Sequence, residues 1–320
     1  MKALPVLIIA LLIFSGTAFA FDPKAIYQET AKSVVLITAS DQGAGSKSMG
    51  TGSIIRPDGL IITNTHVIFS DEMNRPYNQI TVYIKPEHLT GNISKDTAQR
   101  YVAVLVNYSS TLDLAVLKIR QPSSPVSFPF LQFANPEKVE IGEPVVAIGH
   151  PEQGGLWSLT TGTISSQKDN FQNIRGKNVF QTETSINRGN SGGPLLDKDG
   201  LIVGINSNIS RKAEDGTAIT GINFSIKSNV ATEWLNSVGY NYDFATPQNT
   251  VIAPEKQKAN IVPVPTYTPT QPEAKPQVAE IPAIVTEPRP YKEEDLFKQT
   301  EREMEGMMQD MKGKLRKKPK

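Results

Sequence analysis

Gly189-Asn190-Ser191-Gly192-Gly193-Pro194 sets a serine among three glycines in a stretch that reads as a tight turn, the device by which a protein exposes a hydroxyl nucleophile. Glycines let the backbone take φ > 0 and let a substrate carbonyl approach main-chain N–H groups. The chemistry such a turn serves is acyl transfer. A plain hairpin turn reads the same way, so the rest of the chain has to supply the partners. A serine hydroxyl is a poor nucleophile until a neighbouring base takes its proton, and that base must itself be oriented by a third group.

The chain has three histidines, His66, His88 and His150. Only His66 ends an apolar run, Gly59-Leu60-Ile61-Ile62-Thr63-Asn64-Thr65-His66-Val67, whose alternation and β-branching predict a buried strand that delivers the imidazole to a rigid edge. His88, in Lys85-Pro86-Glu87-His88, reads as a solvated loop residue. His150, before Pro151 and after Val145-Val146-Ala147-Ile148, reads as a loop residue shaping a cleft wall. The orienting carboxylate should be nearly buried. Asp113, in Thr111-Leu112-Asp113-Leu114-Ala115-Val116-Leu117, is the acid embedded in an otherwise apolar strand, although a strand-edge aspartate capping a turn would look similar. His66, Asp113 and Ser191 therefore form a candidate catalytic set, with the N–H groups of Gly189 and Ser191 as the candidate oxyanion hole.

The blocks Thr63-Asn64-Thr65-His66-Val67, Thr111-Leu112-Asp113-Leu114-Ala115-Val116 and Ile186-Asn187-Arg188-Gly189-Asn190-Ser191-Gly192-Gly193-Pro194-Leu195 resemble the HtrA/DegP branch of trypsin-like serine proteases. Gly50-Thr51-Gly52-Ser53, Ala147-Ile148-Gly149, Gly162-Thr163-Ile164-Ser165, Gly204-Ile205-Asn206 and Gly221-Ile222-Asn223-Phe224 agree with it, and together the blocks cover residues 22 to 240. The resemblance implies a chymotrypsin-type fold and cleavage of unfolded or extended polypeptides, without metal or organic cofactor. A different class of function, a protease-fold chaperone or binding scaffold with little turnover, is the alternative; an intact Ser-His-Asp set argues against it.

Strand-like runs recur between turn signals at 34–38, 52–55, 60–64, 80–84, 102–107 and 114–119. After a Pro-rich connection near 122–129, a second series follows at 145–148, 159–165, 178–183, 194–197, 201–206 and 219–226, then a helical stretch at 230–238. Many short strands in two sets predict an all-β protein of two packed antiparallel six-stranded barrels with short terminal helices. The His–Asp pair then falls on one half, the nucleophile on the other, and the cleft between them.

Two positions depart from digestive relatives. The residue before the nucleophile, an aspartate there that pairs with a new N-terminal ammonium, is Asn190, which offers no charge for such a pair. Control by loop ordering is the expectation instead, in the loops Gln42–Met49 and Gln167–Gly176. At the base of the primary pocket in this superfamily, six residues before the nucleophile, stands uncharged Ser185. With Ile186 and Phe224 nearby it predicts small or medium aliphatic residues at P1, and Ile205-Asn206-Ser207-Asn208 is expected to pair with the substrate backbone as an added strand.

The chain of 320 residues is 38% apolar with net charge +1 and pI near 7.8, so no nucleic-acid or polyanion partner is indicated. Lys2, the apolar run Leu4–Phe14 and Ala18-Phe19-Ala20 read as a cleaved signal peptide over residues 1–20, implying a periplasmic or secreted protein, with an uncleaved anchor as the alternative. With no cysteine, no disulfide braces the exported fold, and a domain over 21–244 has to rely on its core. From Pro247 to Pro290 ten prolines predict a linker or disordered stalk over 245–290. In 291–320, Phe297, Met304, Met308, Met311 and Leu315 predict an amphipathic helix whose stripe suits partner docking, weak self-association or a membrane surface; a frayed charged tail is the plainer alternative. No segment long enough for a C-terminal PDZ domain is expected. Phe21 and Tyr27 resemble the aromatic contacts through which family members trimerise.

Overall fold

The structure, a computed structural model, describes residues 21–41, 47–124, 126–207 and 221–245. The signal segment, most of the 42–49 loop, Asn208, the proline-rich stretch and the tail helix lie outside the described residues. Every element below belongs to one compact unit formed by residues 1–40 and 47–263; of the second unit, 41–46 with 264–320, only Asp41 is described.

Helix α1 (Pro23–Thr30) starts at Asp22, whose carboxylate accepts the N–H groups of Lys24 at 3.0 Å and Ala25 at 3.1 Å, with Pro23 placed where no helical donor is needed. Strands β1 (Val34–Ser40), β2 (Lys47–Arg56) and β3 (Leu60–Thr63) lead into the single turn α2 (Thr65–Ile68). The small hairpin β4 (Phe69–Ser70) and β5 (Arg75–Pro76) precedes β6 (Gln79–Ile84), α3 (Ile93–Asp96), β7 (Arg100–Ser109) and β8 (Leu114–Ile119). These close into an antiparallel barrel in the order β1-β2-β3-β8-β7-β6. The second barrel comprises β9 (Pro144–Gly149), β10 (Ser158–Lys168), β11 (Val179–Thr182), β12 (Pro194–Leu196), β13 (Ile202–Ser207) and β14 (Asn223–Lys227), followed by α4 (Ser228–Ser237). It closes in the order β10-β11-β14-β13-β12-β9. The expected pair of six-stranded barrels is therefore present, with each strand within a few residues of its sequence position. The last strand is described only from Asn223, and α4 begins two residues earlier than expected.

Several strands are continuously apolar rather than alternating because both of their faces are buried. In the first barrel Val35, Ile37, Ile54, Ile61, Ala115 and Leu117 fill the interior, while Val34, Ile55, Leu60, Ile62, Leu114 and Val116 join a different cluster. In the second barrel Val145, Ala147 and Val203 belong to the interior, while Val146, Ile148, Ile202 and Ile205 point outward into the cluster that holds the first barrel's second set. In β1, β3, β8 and β9 the period of two thus sorts the strand into one side for its own barrel and one for the seam between barrels, whereas β13, next to a register shift with β12, departs from it. Each seam side chain removed from water contributes about 1.5–3 kcal/mol.

Backbone bonds sew the same seam. The connection between barrels donates from Phe128 to the Pro57 carbonyl (2.9 Å) and from Leu131 to that of Ile54 (2.9 Å), then from Ala134 to that of Ile202 (2.9 Å). The Trp157 indole N–H donates to the Val34 carbonyl at 2.7 Å, and the Tyr27 hydroxyl to the Trp157 carbonyl at 2.9 Å. Tyr27, expected at a trimer contact, has its hydroxyl engaged within its own chain, and Phe21 is partly buried against the same seam.

Candidate active site

The antiparallel pair β3/β8 sets Thr63 opposite Ala115, so the residues just after β3 and just before β8 must meet. Those residues are His66, on α2, and Asp113. Asp113 lies in the turn before β8 rather than inside a strand, with φ of 59°, a left-handed conformation that aspartate tolerates better than most residues. Its carboxylate accepts the His66 Nδ1–H at 2.9 and 3.0 Å, the His66 backbone N–H at 3.2 Å and the Ser207 hydroxyl at 2.9 Å. Asn64 Nδ2 holds the Asp113 carbonyl at 2.8 Å. The Asp113 side chain is 15% exposed and that of His66 43%, so the carboxylate is enclosed while the imidazole, with Nδ1 on the acid, turns its Nε2 edge outward.

Ser191 is buried, 4% exposed, on the turn entering β12. Each carbonyl from residue 188 to 191 is held. That of Arg188 accepts from Glu152 N (3.0 Å), that of Gly189 from the Thr51 hydroxyl (2.6 Å), that of Asn190 from Gly193 N (3.1 Å) and that of Ser191 from Thr51 N (2.8 Å). In a trans peptide the N–H points opposite to the preceding carbonyl. Holding the Arg188 and Asn190 carbonyls therefore aims the N–H groups of Gly189 and Ser191 to the other side of the turn, away from Glu152 and Gly193 respectively. Gly189 and Gly192 have φ of 91° and 82°. A Cβ on Gly192 would collide with the Thr63 hydroxyl and the Thr51 carbonyl, so the turn lies against the backbone that leads to His66 and only glycine fits. Thr51 contributes both a main-chain and a side-chain bond to this turn, a role that its place in the Gly50–Ser53 block does not announce.

His150 is fully buried rather than on a cleft wall, edge-on to Trp157 at 4.7 Å, and burial holds its pKa down at about 3. His88 is exposed, as expected. Among the described residues, no three of His, Asp and Glu are grouped as metal ligands.

The other candidates scatter. Ser185 is exposed, its hydroxyl accepting from Asn187 Nδ2 at 3.3 Å, and its carbonyl lies 3.4 Å from Asn190 Nδ2, which links this stretch to the nucleophile turn. Ile186 is buried, and Phe224 is buried against Phe171, with ring centroids 4.5 Å apart. Ile205 and Asn206 do not have the free edge that strand addition needs. β13 is central, Ile205 pairs with Pro194 and Ile226, and Asn206 gives its N–H and carbonyl to Gly193 (2.8 Å) and Gly192 (2.7 Å). Its side chain is spent on the Pro194 carbonyl (2.9 Å) and the Ser225 hydroxyl (2.6 Å). Ser207, by contrast, reaches the Asp113 carboxylate, a contact between barrels that the strand-pairing expectation missed.

An acid–imidazole pair on one barrel, with a glycine-walled serine turn from the other lying against the backbone that leads to it, has counterparts among known proteins. Residues 50–205 match the family of the trypsin-like peptidase domain. The relatives the chain resembles are HtrA/DegP-like serine proteases. The chain is 32% identical over 192 residues to a "Probable periplasmic serine endoprotease DegP-like" of Chlamydia pneumoniae, covering 59% of this chain and 34% of that protein. It is 34% identical over 197 residues to the magnetosome formation protease MamE of Paramagnetospirillum magneticum, covering 61% and 24%. Among solved structures the HtrA-type protease AlgW with tripeptide superposes with a TM-score of 0.54 at 27% identity, covering 68% of this chain and 63% of that one. The chain thus spans about a quarter to a third of the length of these two curated relatives.

Proposed function

We propose that the peptidase domain is an exported serine endopeptidase acting on unfolded or extended polypeptides. The observation that carries this reading is the Asp113 carboxylate gripping both the ring and the backbone N–H of His66 beside a turn whose carbonyls are all tied down. Ser191 Oγ attacks the scissile carbonyl carbon while His66 Nε2 takes its proton. Asp113 keeps the remaining proton on Nδ1 and stabilises the imidazolium, without itself becoming protonated. The carbonyl oxygen, now an oxyanion, is received by the N–H groups of Gly189 and Ser191. His66 then returns its proton to the departing amine, leaving an acyl-enzyme, and a water activated by the same imidazole releases the acid and restores the serine.

The uncharged Ser185 and apolar Ile186 support small or medium aliphatic P1 residues. A lysine or arginine there would lose its hydration without gaining a counter-ion. The periplasmic DegP-like relatives and the expected signal segment support a periplasmic or secreted setting.

The test is incubation of the mature chain with unfolded casein and a fluorophosphonate serine probe. Cleavage and labelling are expected for the wild type, with a loss on the order of 10⁶ in turnover and no labelling for Ser191→Ala, by analogy with triad deletions. Casein cleavage surviving in Ser191→Ala, or an unlabelled wild type, would overturn the assignment.

A further inference from the structure

His150 plays no part in the proton path above, yet it is a fully buried titratable side chain in direct contact with the residue that holds the nucleophile turn. Its Nδ1 lies 2.9 Å from the Thr51 hydroxyl oxygen, and that hydroxyl lies 2.6 Å from the Gly189 carbonyl. Thr51 has one hydroxyl hydrogen, and a carbonyl can only accept. The hydrogen is therefore committed to Gly189, and the proton between Thr51 and His150 must sit on Nδ1. The rest of the ring agrees: Nε2 is buried without a hydrogen-bond partner, which suits a bare lone pair and not an N–H. In the other tautomer Nδ1 would demand the threonine hydrogen, and Gly189 would lose its donor.

We propose that His150 is a positioning residue for the oxyanion turn, acting through Thr51: its neutral Nδ1–H tautomer commits the Thr51 hydroxyl to the Gly189 carbonyl and so anchors the peptide on the far side of the glycine whose N–H receives the oxyanion. The inference rests on the reading of Ser191 as nucleophile. Gly189 needs such a hold because glycine turns freely about φ and ψ. The peptide before it, which carries the N–H, is held through the exposed Glu152; the peptide after it is held by the Asn190 N–H on the Asn187 carbonyl at 3.0 Å and by Thr51, which is fully buried. A Cβ on Gly189 would also collide with the His150 carbonyl, so the histidine's own backbone forms the floor on which the glycine turns.

The geometry separates close substitutes. Asparagine at 150 places a donor at the same distance along the side chain as Nδ1 and can replace it; leucine matches its volume without a donor; glutamine carries its donor one atom too far out. His150→Asn and Thr51→Ser are expected to keep kcat within about threefold on a chromogenic peptide. His150→Leu, His150→Gln and Thr51→Val are expected to lose about 10- to 100-fold in kcat with KM nearly unchanged, a fraction of the about 10²–10³ that deleting an oxyanion donor costs. The Thr51→Val/His150→Leu double variant should lose no more than the worse single one, since both remove the same bond. Independently of turnover, ¹⁵N-histidine NMR of the Ser191→Ala chain, with the His150 signals assigned by their absence in a His150→Asn background, should show protonated Nδ1 and bare Nε2. Equal kcat for His150→Asn and His150→Leu, or an Nε2–H tautomer, would overturn the inference while leaving the triad standing. An unlabelled, inactive wild type would instead indict Ser191, and the NMR result would still decide the tautomer.

Discussion

Asp113→Asn is a demanding test of the proton path because the contacts fix which way the new amide must face. Oδ1 of Asp113 receives the His66 backbone N–H at 3.2 Å, and an amide NH₂ placed there would oppose donor to donor. The NH₂ therefore takes the Oδ2 position, 2.9 Å from both His66 Nδ1 and the Ser207 hydroxyl. Ser207 can rotate its hydroxyl and accept. His66 can accept at Nδ1 only by moving its proton to Nε2, and an Nε2–H cannot take the proton of Ser191. The variant keeps an oxygen 3.0 Å from Nδ1 but sets its NH₂ against the shorter contact at 2.9 Å, which opposes the Nδ1–H and favours the Nε2–H tautomer that is idle as a base. The same substitution in a Ser-His-Asp triad lowers kcat by about 10⁴, and a loss of that order, about 5.4 kcal/mol in the barrier, is expected. The assay is kcat and KM on a short peptide beside a urea melt of both proteins, with the midpoint shifting little because the substitution is isosteric. A loss of less than about tenfold with an intact fold would show that Asp113 does not set the tautomer of the base, and the mechanism would need another orienting group.

Two further expectations concern stability. Gly192→Ala should cost more than about 4 kcal/mol or prevent folding, since its Cβ meets fixed backbone at positive φ, whereas Gly176→Ala, at φ of 80° with open space around the Cβ, should cost only about 1 kcal/mol; comparable urea midpoints would refute the close approach. Burial raises the Asp197 carboxyl from 3.8 to about 6, so between those values the folded chain holds a proton the unfolded chain has released, and this group's contribution falls as pH rises through the window. Asp197→Asn keeps an oxygen for the Asp199 and Leu201 N–H groups, both at 2.9 Å, and should be more stable than wild type by about 1–2 kcal/mol at pH 7.5 but no more stable at pH 3.5. Comparing the two proteins at each pH removes the opposite trend from His150, whose depressed pKa adds stability as pH rises from about 3 to 6.5. An equal gain at both pH values would mean the aspartate titrates normally in the fold.

The strands were legible because their burial is sorted by parity, a signal carried by runs such as Leu60-Ile61-Ile62 and Leu114-Ala115-Val116-Leu117. His66, Asp113 and Ser191 were legible as residue types that acyl transfer needs, each at the mouth of such a run. What the chain order hides is the cross-barrel bonding: a threonine in a Gly-Thr-Gly-Ser strand gives no hint that its hydroxyl will hold a glycine carbonyl far along the chain. The same limit explains Ile205 and Asn206, which look free to pair because nothing local says that β12 and β14 already occupy both edges. It also explains His150, whose neighbouring proline suggests a loop, while its burial depends on Trp157 closing over it.

Thr51 ties the nucleophile turn from one barrel, and Ser207 reaches the acid from the other, so neither half of the molecule carries a finished site. The seam therefore works as a coincidence gate. A copy with one barrel formed has a serine without a set turn or a base without its full cradle, and is expected to stay inert toward its neighbours while it folds. Activity becomes a report that both halves have folded and docked. For a peptidase that passes through the unfolded state itself, such a gate is a safeguard.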